Sequence, residues 1–275
     1  MSWSGVALGL AATLALQIGL IGFGFAAEQL RPARAQNFRC LRLNVAYVAA
    51  LRLIYAVLLP LSAAATTLIV NALGGGLIVL PRSGVGLLLA APCYALLMDG
   101  GEYLFHRMQH RYPLLWAMHS LHHSDPAVNV STAARHFWGE MLLKALTVYA
   151  LIGVLVKANA AVVGFYTALG LYNYVLHMNI RVGFGRASVC LNSPQFHRLH
   201  HSALPEHRDC NFNQFFPVFD WLFGTYRRPG RDEYPPTGLE HADAPEHLHE
   251  MLLWPWRHRS ASPAPQINPL SPDAP

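Results

Sequence analysis

Residues 85–123 read VGLLLAAPCYALLMDGGEYLFHRMQHRYPLLWAMHSLHH. The apolar run from Val85 to Phe105 has the length, about 20 residues, that spans the hydrocarbon core of a bilayer. Its polar end runs straight into His106-Arg-Met-Gln-His110 and then His119-Ser-Leu-His122-His123. A spanning helix that delivers imidazoles to one membrane face decides the fold class. The expectation is an all-α integral membrane bundle of about four spanning helices, closed on the cytoplasmic side by a histidine-rich helical cap.

Composition points the same way. Of the 275 residues, 53% are hydrophobic and 13% charged, against about 25% charged in a soluble domain. The formal charge of +5 comes almost wholly from arginine. The arginines stand beside apolar runs, as topology signals do, so no nucleic-acid partner is expected. Cys40, Cys93, Cys190 and Cys210 show no C-x-x-C spacing, which argues against a disulfide framework or a cysteine zinc site.

Three further apolar runs flank this segment. Val6 to Ala27 reads as a retained helix. A signal peptide is the alternative, but no basic segment precedes the run, and Arg31, Arg34, Arg39 and Arg42 follow it. Leu43 to Leu73 is interrupted by Pro60, which predicts a kinked helix or a helix plus an interfacial piece. Met141 to Leu176 carries Gly153, Lys157, Asn159 and Gly164 near its middle and predicts a helical hairpin turning near Lys157. The expected division is 1–84 for N-terminal transmembrane helices, 85–257 for a catalytic domain, and 258–275 for a disordered tail rich in Pro, Ser and Ala. Arginines after the first helix place that loop in the cytoplasm. Counting passes from there puts every histidine of the chain on the same, cytoplasmic side. The short chain with no attached domain suggests a bacterial inner-membrane protein.

Nine of the 15 histidines form a pattern. His106 and His110 are spaced H-x-x-x-H. His119, His122 and His123 form H-x-x-H-H, and His197, His200 and His201 form it again; His177 stands alone at the end of the hairpin. Spacings of three and four share one helix face. Adjacent residues diverge by about 100°, so neighbouring histidines can serve two different metals. Neutral imidazole suits Fe, Zn, Cu and Ni alike. A single such pair near a membrane surface is often incidental; repeated clusters on one side of a bilayer would be costly to gather without metal.

Several motifs in this order resemble the fatty acid hydroxylase superfamily, also called the sterol desaturase family. They are Asp99-Gly-Gly-Glu102-Tyr103-Leu-Phe-His106-Arg107-Met-Gln-His110, Leu115-Trp116-Ala-Met-His119-Ser-Leu-His122-His123-Ser124 and Phe196-His197-Arg198-Leu-His200-His201-Ser202. Arg135-His136, His177-Met-Asn179, Asp209-Cys-Asn211-Phe212 and Phe219-Asp220-Trp221-Leu-Phe223-Gly224-Thr225-Tyr226 also fit. The resemblance covers Asp99 to Tyr226; the N-terminal helices match only in character.

It implies a centre of two iron ions, with zinc as a possible substitute, and O2 as oxidant. It also implies a lipid substrate and an external electron donor. The implied ligands are His106, His110, His119, His122, His123, His177, His197, His200 and His201. Some members carry a further histidine where this chain has Asn173, so Asn173 or a water would fill that place. His207 is either a substitute ligand or an exposed loop residue. Asp99 and Glu102, two turns and one turn before His106, are candidates to orient ligand N–H groups or are polar groups at the membrane boundary. Asp209 is a weaker candidate for the same task, Asp220 reads as structural, and His136 pairs with Arg135 to order its loop.

His241, His247, His249 and His258 read as solvated. Pro245 to Trp256 reads either as an interfacial helix with an aromatic anchor or as packing against the catalytic domain. Arg227 and Arg228 are expected to face lipid headgroups or a redox partner. The donor is expected to be a separate protein of ferredoxin or cytochrome b5 type, since no such segment is attached. The substrate range is a sterol or hopanoid, a fatty acyl, sphingolipid or ether-lipid chain, or a carotenoid. Hydroxylation and desaturation share the first hydrogen abstraction and are both expected outcomes. A zinc hydrolase lacks H-E-x-x-H here. A metal carrier or haem-binding membrane protein is the non-enzymatic alternative, though carriers place ligands near the bilayer midplane.

Overall fold

The structure, a computed structural model, describes residues 3–239 and 244–258. The expectations for His241 and the 259–275 tail lie outside those residues. Four helices are long and apolar enough to cross a membrane: α1 (Trp3–Glu28), α2 (Phe38–Ala72), α3 (Gly84–Arg111) and α5 (Trp138–Leu155). Between α3 and α5 lies the shorter α4 (Pro113–His123). α6 (Ala160–Leu176) returns from α5 and bends at Leu171. α7 (Pro194–His200) then carries the last histidine cluster. The chain is an integral membrane protein built mostly of helix, with almost no sheet.

Side chains such as Leu8, Phe23, Leu53, Leu61, Leu68 and Leu88 are exposed on the spanning helices. Only lipid tails cover an apolar belt of this extent. Local signals set the helix ends. Asn37 caps α2 by accepting from the Arg39 and Cys40 amides. Asn159 caps α6 through the Ala161 and Val162 amides and donates to the Pro81 carbonyl at 2.9 Å. Pro60 is accommodated within α2, which continues on both sides of it as one 35-residue helix.

Both hairpins turn at the end remote from the histidines. There β1 (Ile78–Val79), after α2, pairs in parallel with β2 (Val156–Lys157), after α5. Gly76 sits at φ +83° in this turn, and a Cβ there would come within 2.9 Å of Lys157 Cβ, so glycine is required on both counts. The hairpin turns at Lys157, as the sequence suggests, and the histidine-bearing segments gather at the opposite end.

That end is tied by buried polar bonds. The Glu28 carboxylate, at the end of α1, accepts from the amides of Val130 (2.7 Å) and Asn179 (3.0 Å). Arg135 is 1% exposed. It donates to the Leu121 carbonyl (3.0 Å), Asn44 Oδ1 (3.0 Å) and Ser124 Oγ (2.6 Å). Asn44 in turn donates to Asp125 (2.9 Å), so α2, α4 and the 125–135 loop are locked together.

The segment after Pro245 forms α9 (Leu248–Leu252) and α10 (Trp254–Arg257), following the short α8 (Val218–Leu222). It packs inward: Met251 and Trp254 join Tyr47, Leu51, Leu121 and Phe137 in one core cluster. Trp254 Nε1 also donates to Ser120 Oγ at 2.9 Å. His258 stacks on Trp254 with ring centroids 3.7 Å apart, which corrects its reading as a solvated residue; His247 and His249 are exposed as expected. The four cysteines are free thiols. Replacing Trp254 by Ala should cost about 3–5 kcal/mol and lower the thermal midpoint in detergent sharply. The same change at Trp256, which is 49% exposed, should leave the midpoint nearly unmoved.

Candidate metal centre

The last turns of α3 carry His106 and His110, α4 carries His119, His122 and His123, the end of α6 carries His177, and α7 leads to His197, His200 and His201. These nine rings fall into two groups. His106, His110, His119, His123 and His200 form one; His122, His177, His197 and His201 form the other. In each group one nitrogen per ring lies within 4.8 Å of the others. The adjacent pairs split between groups, His122 from His123 and His200 from His201, as the 100° divergence of helix neighbours allows.

Hydrogen bonding fixes which nitrogen faces inward. His106 Nδ1 lies 2.7 Å from the Phe212 carbonyl, His200 Nδ1 2.8 Å from the Cys210 carbonyl, and His177 Nδ1 2.8 Å from the Asn173 carbonyl. His119 Nδ1 lies 3.1 Å from the Glu140 carboxylate. Carbonyls and carboxylates only accept, so each of these Nδ1 atoms carries the proton and each Nε2 a lone pair. His106 Nε2 and His119 Nε2 then face each other at 3.0 Å as two acceptors. His110, His123 and His200 present buried Nε2 atoms with no protein partner. In the second group Nε2 atoms again converge, at 3.1 Å for His122–His177, 3.0 Å for His177–His197 and 3.2 Å for His197–His201.

Facing lone pairs repel unless a cation stands between them. Burial pushes His122, His123, His197, His200 and His201 well below the usual imidazole range. Burial lowers His119 to about 4 against the opposing pull of Glu140, and lowers His177 to about 3. These seven rings are neutral, which is the ligand form. Each group therefore suits one metal ion held by imidazole nitrogen, and the donor set fits iron or zinc.

Glu140 is the residue that sequence reasoning missed. At the first turn of α5, its carboxylate takes His119 Nδ1, Gln109 Nε2 (2.6 Å) and the Phe137 amide (3.1 Å), with His136 Nδ1 at 3.4 Å. Its only sequence signal is the i, i+4 spacing from His136 at a helix start. His136 itself stacks on His122 with centroids 4.0 Å apart.

Asp99 and Glu102 touch no histidine. Asp99 instead accepts the amides of Gln214, Phe215 and Phe216 and the Asn213 side chain. Glu102 pairs with Lys144 and accepts from the Tyr149 hydroxyl. Asp209 lies 3.4 Å from His110 Nδ1, and Asn173 lines the cavity beside the centre, its carbonyl accepting from His177 Nδ1. His207 is neither grouped with the nine nor exposed: it is 3% exposed, held by Ser202 Oγ at 2.8 Å and Glu233 at 3.1 Å. Asp220 is structural as expected, accepting the Phe212 and Asn213 amides and the Thr225 hydroxyl.

A cavity of about 590 Å³ opens from this centre between α1, α2, α5 and α6. His106, His119, His122, His177 and His197 stand at one end, and Leu20, Val48, Leu51 and Phe215 form apolar wall. The volume lies within the range of small-molecule sites.

Four membrane-length helices carrying two clusters of buried imidazoles describe a membrane protein with two candidate metal sites. Residues 91–225 match the fatty acid hydroxylase family, and the chain belongs to the fatty acid hydroxylase superfamily. Over 129 residues it is 32% identical to the alkylglycerol monooxygenase of Danio rerio, covering 47% of this chain and 28% of that protein. It is 26% identical over 148 residues to the ornithine lipid hydroxylase OlsE of Rhizobium tropici, covering 50% and 42%. It is 27% identical over 186 residues to a very-long-chain aldehyde decarbonylase of Oryza sativa subsp. indica, covering 58% and 29%. The chain thus spans less than half the length of these curated relatives. No solved structure matches it.

Purified chain should carry two metal ions, read by elemental analysis. His201→Ala should reduce that toward one. Glu140→Gln should weaken metal retention by about 10–100-fold, the usual cost of losing a ligand's outer hydrogen-bond partner.

Proposed function

We propose that this chain is a di-iron oxygenase that uses O2 and external electrons to hydroxylate or desaturate a C–H bond of a membrane lipid. The observation that carries the reading is the pairing of two convergent imidazole groups with an apolar-walled cavity that opens among the spanning helices. Two iron ions would be held by His106, His110, His119, His123 and His200 and by His122, His177, His197 and His201. Iron in such a site supplies the O2 activation and hydrogen abstraction that no side chain can perform.

The chain's own residues supply position and dryness. The Phe212, Cys210 and Asn173 carbonyls and the Glu140 carboxylate each hold one ring's Nδ1 proton, so the inward nitrogens of His106, His200, His177 and His119 stay unprotonated. Leu20, Val48, Leu51 and Phe215 exclude water from the path along which an acyl or alkyl chain would lie. The family membership and the names of the relatives, an alkylglycerol monooxygenase and an ornithine lipid hydroxylase, support a lipid with a long chain. Residues 85–257 would form the catalytic unit and 1–84 its membrane scaffold. The arginines that follow α1 support a cytoplasmic active site, which in a bacterium means the inner membrane. The electron donor would be a separate ferredoxin- or cytochrome b5-type protein. Arg31, Arg181, Arg228 and Arg231 line one cleft on the cap and give such an acidic partner a basic face.

Lipid extracts from cells with and without the chain should differ by a gain of one oxygen or a loss of two hydrogens in one lipid class. His122→Ala should abolish the difference; an unchanged product would sink the ligand assignment.

A further inference from the structure

The cavity wall mixes apolar side chains with polar and charged ones, and the charged ones differ in what they leave free. Four acidic or basic residues other than histidine line it: Glu102, Glu140, Lys144 and Arg52. Lys144 and Glu102 neutralise each other, and Glu140 is engaged by His119, Gln109 and the Phe137 amide. Arg52 has no carboxylate partner among the described residues; its Nε donates to Gln17 Oε1, and its terminal amino groups carry no protein hydrogen bond. Gln17 Nε2 donates in turn to the Tyr174 hydroxyl at 2.8 Å. The Tyr174 oxygen is therefore an acceptor in this chain of bonds, and its own proton is free to be given away. Side by side at this place the cavity is offered a guanidinium edge and a phenol O–H, both donors.

Depth fits the same picture. Leu53 to Ala72 is an uncharged stretch of 20 residues, about 30 Å of helix, enough to cross the hydrocarbon core. Arg52 therefore stands where hydrocarbon meets headgroups, on the histidine side. A solitary arginine at that level ordinarily snorkels into bulk headgroups. Here the α1 side chain Gln17 holds it against the cavity instead, and Tyr174 lies one helical turn before His177.

We infer that Arg52, positioned by Gln17 and joined by Tyr174, is a headgroup subsite that selects lipids bearing an anionic oxygen, a phosphate or a carboxylate, over neutral lipids such as sterols and carotenoids. The inference rests on the lipid oxygenase reading and narrows its substrate class. A guanidinium gives an anionic oxygen two parallel hydrogen bonds, which fixes the head and threads the chain toward the metals.

The test compares binding of pyrenedodecanoate and of its methyl ester to the full chain in neutral detergent, read by pyrene fluorescence. Wild type should prefer the carboxylate. Arg52→Gln should weaken carboxylate binding by about 10–100-fold, the cost of a lost charge-assisted hydrogen bond, and leave the ester's affinity unchanged. Arg52→Lys should retain much of the preference, and Tyr174→Phe should erode it less than Arg52→Gln does. Equal affinity of wild type for both probes, or equal losses for both in Arg52→Gln, would overturn the subsite. Metal content of each variant reports folding. A metal-loaded chain that prefers the carboxylate yet oxidises no lipid would remove the oxygenase reading and leave the subsite standing. A lipid-oxidising chain indifferent to probe charge would do the reverse.

Discussion

The structure turns on the repulsion between lone pairs of neutral imidazoles. His106 and His119 each surrender the Nδ1 proton to an oxygen that can only accept, and so face each other with two bare Nε2 atoms 3.0 Å apart. Nothing in the protein resolves that contact. A cation does, and the same holds for the unpartnered Nε2 atoms of His110, His123 and His200. Because the rings are buried, protonation is no escape: a charged imidazole there would lose its hydration. The centre is therefore specified by what it withholds from its histidines, water and a second hydrogen-bond partner, as much as by their number.

Holding those rings requires a frame that does not move, and the 209–225 segment provides it. Asp220 takes the amides of Phe212 and Asn213, and Asp99 takes the next three, Gln214 to Phe216. Five consecutive amides thus end on two buried carboxylates. Asp209 and Asn211 adopt positive φ, 53° and 58°, which lets the chain turn sharply enough for this. The result is to aim two carbonyls, Cys210 toward His200 and Phe212 toward His106. Asp99, placed two helical turns before His106 in sequence, acts on that histidine through a loop more than a hundred residues later.

That indirect route explains which parts were legible in the sequence. The spanning helices were, because a run such as Val85 to Phe105 has few alternatives in water. The hairpin turn at Lys157 was, because polar residues interrupt an apolar stretch there. The split of His122 from His123 and of His200 from His201 follows from helix periodicity alone. Glu140 was not legible, since its role depends on α5 folding back over α4 to meet His119. The fate of Asp99 and Glu102 was not legible either: a carboxylate near a histidine in sequence has no obligation to turn toward it. Trp254 could equally have faced lipid; the Ser120 hydroxyl beneath it, from a different segment, decides that it faces inward.

Placing both hairpin turns at one end and all nine rings at the other has an energetic logic. A spanning helix satisfies its own backbone and leaves its termini as the only places where irregular chain is tolerated. The nine rings come from the last turns of α3, from α4, from the end of α6 and from α7, so the two groups sit at one end of the bundle. The cavity between α1, α2, α5 and α6 opens from there among the spanning helices, and it is the path the proposed lipid substrate would take. The cap's cohesion then falls to buried polar ties such as Glu28, Arg135 and Asn44, each of which joins segments far apart in sequence. Such ties are individually costly to desolvate, but in a fully bonded network they fix one arrangement of the helices. A centre whose facing nitrogens tolerate only small displacements needs that rigidity more than it needs extra hydrophobic burial.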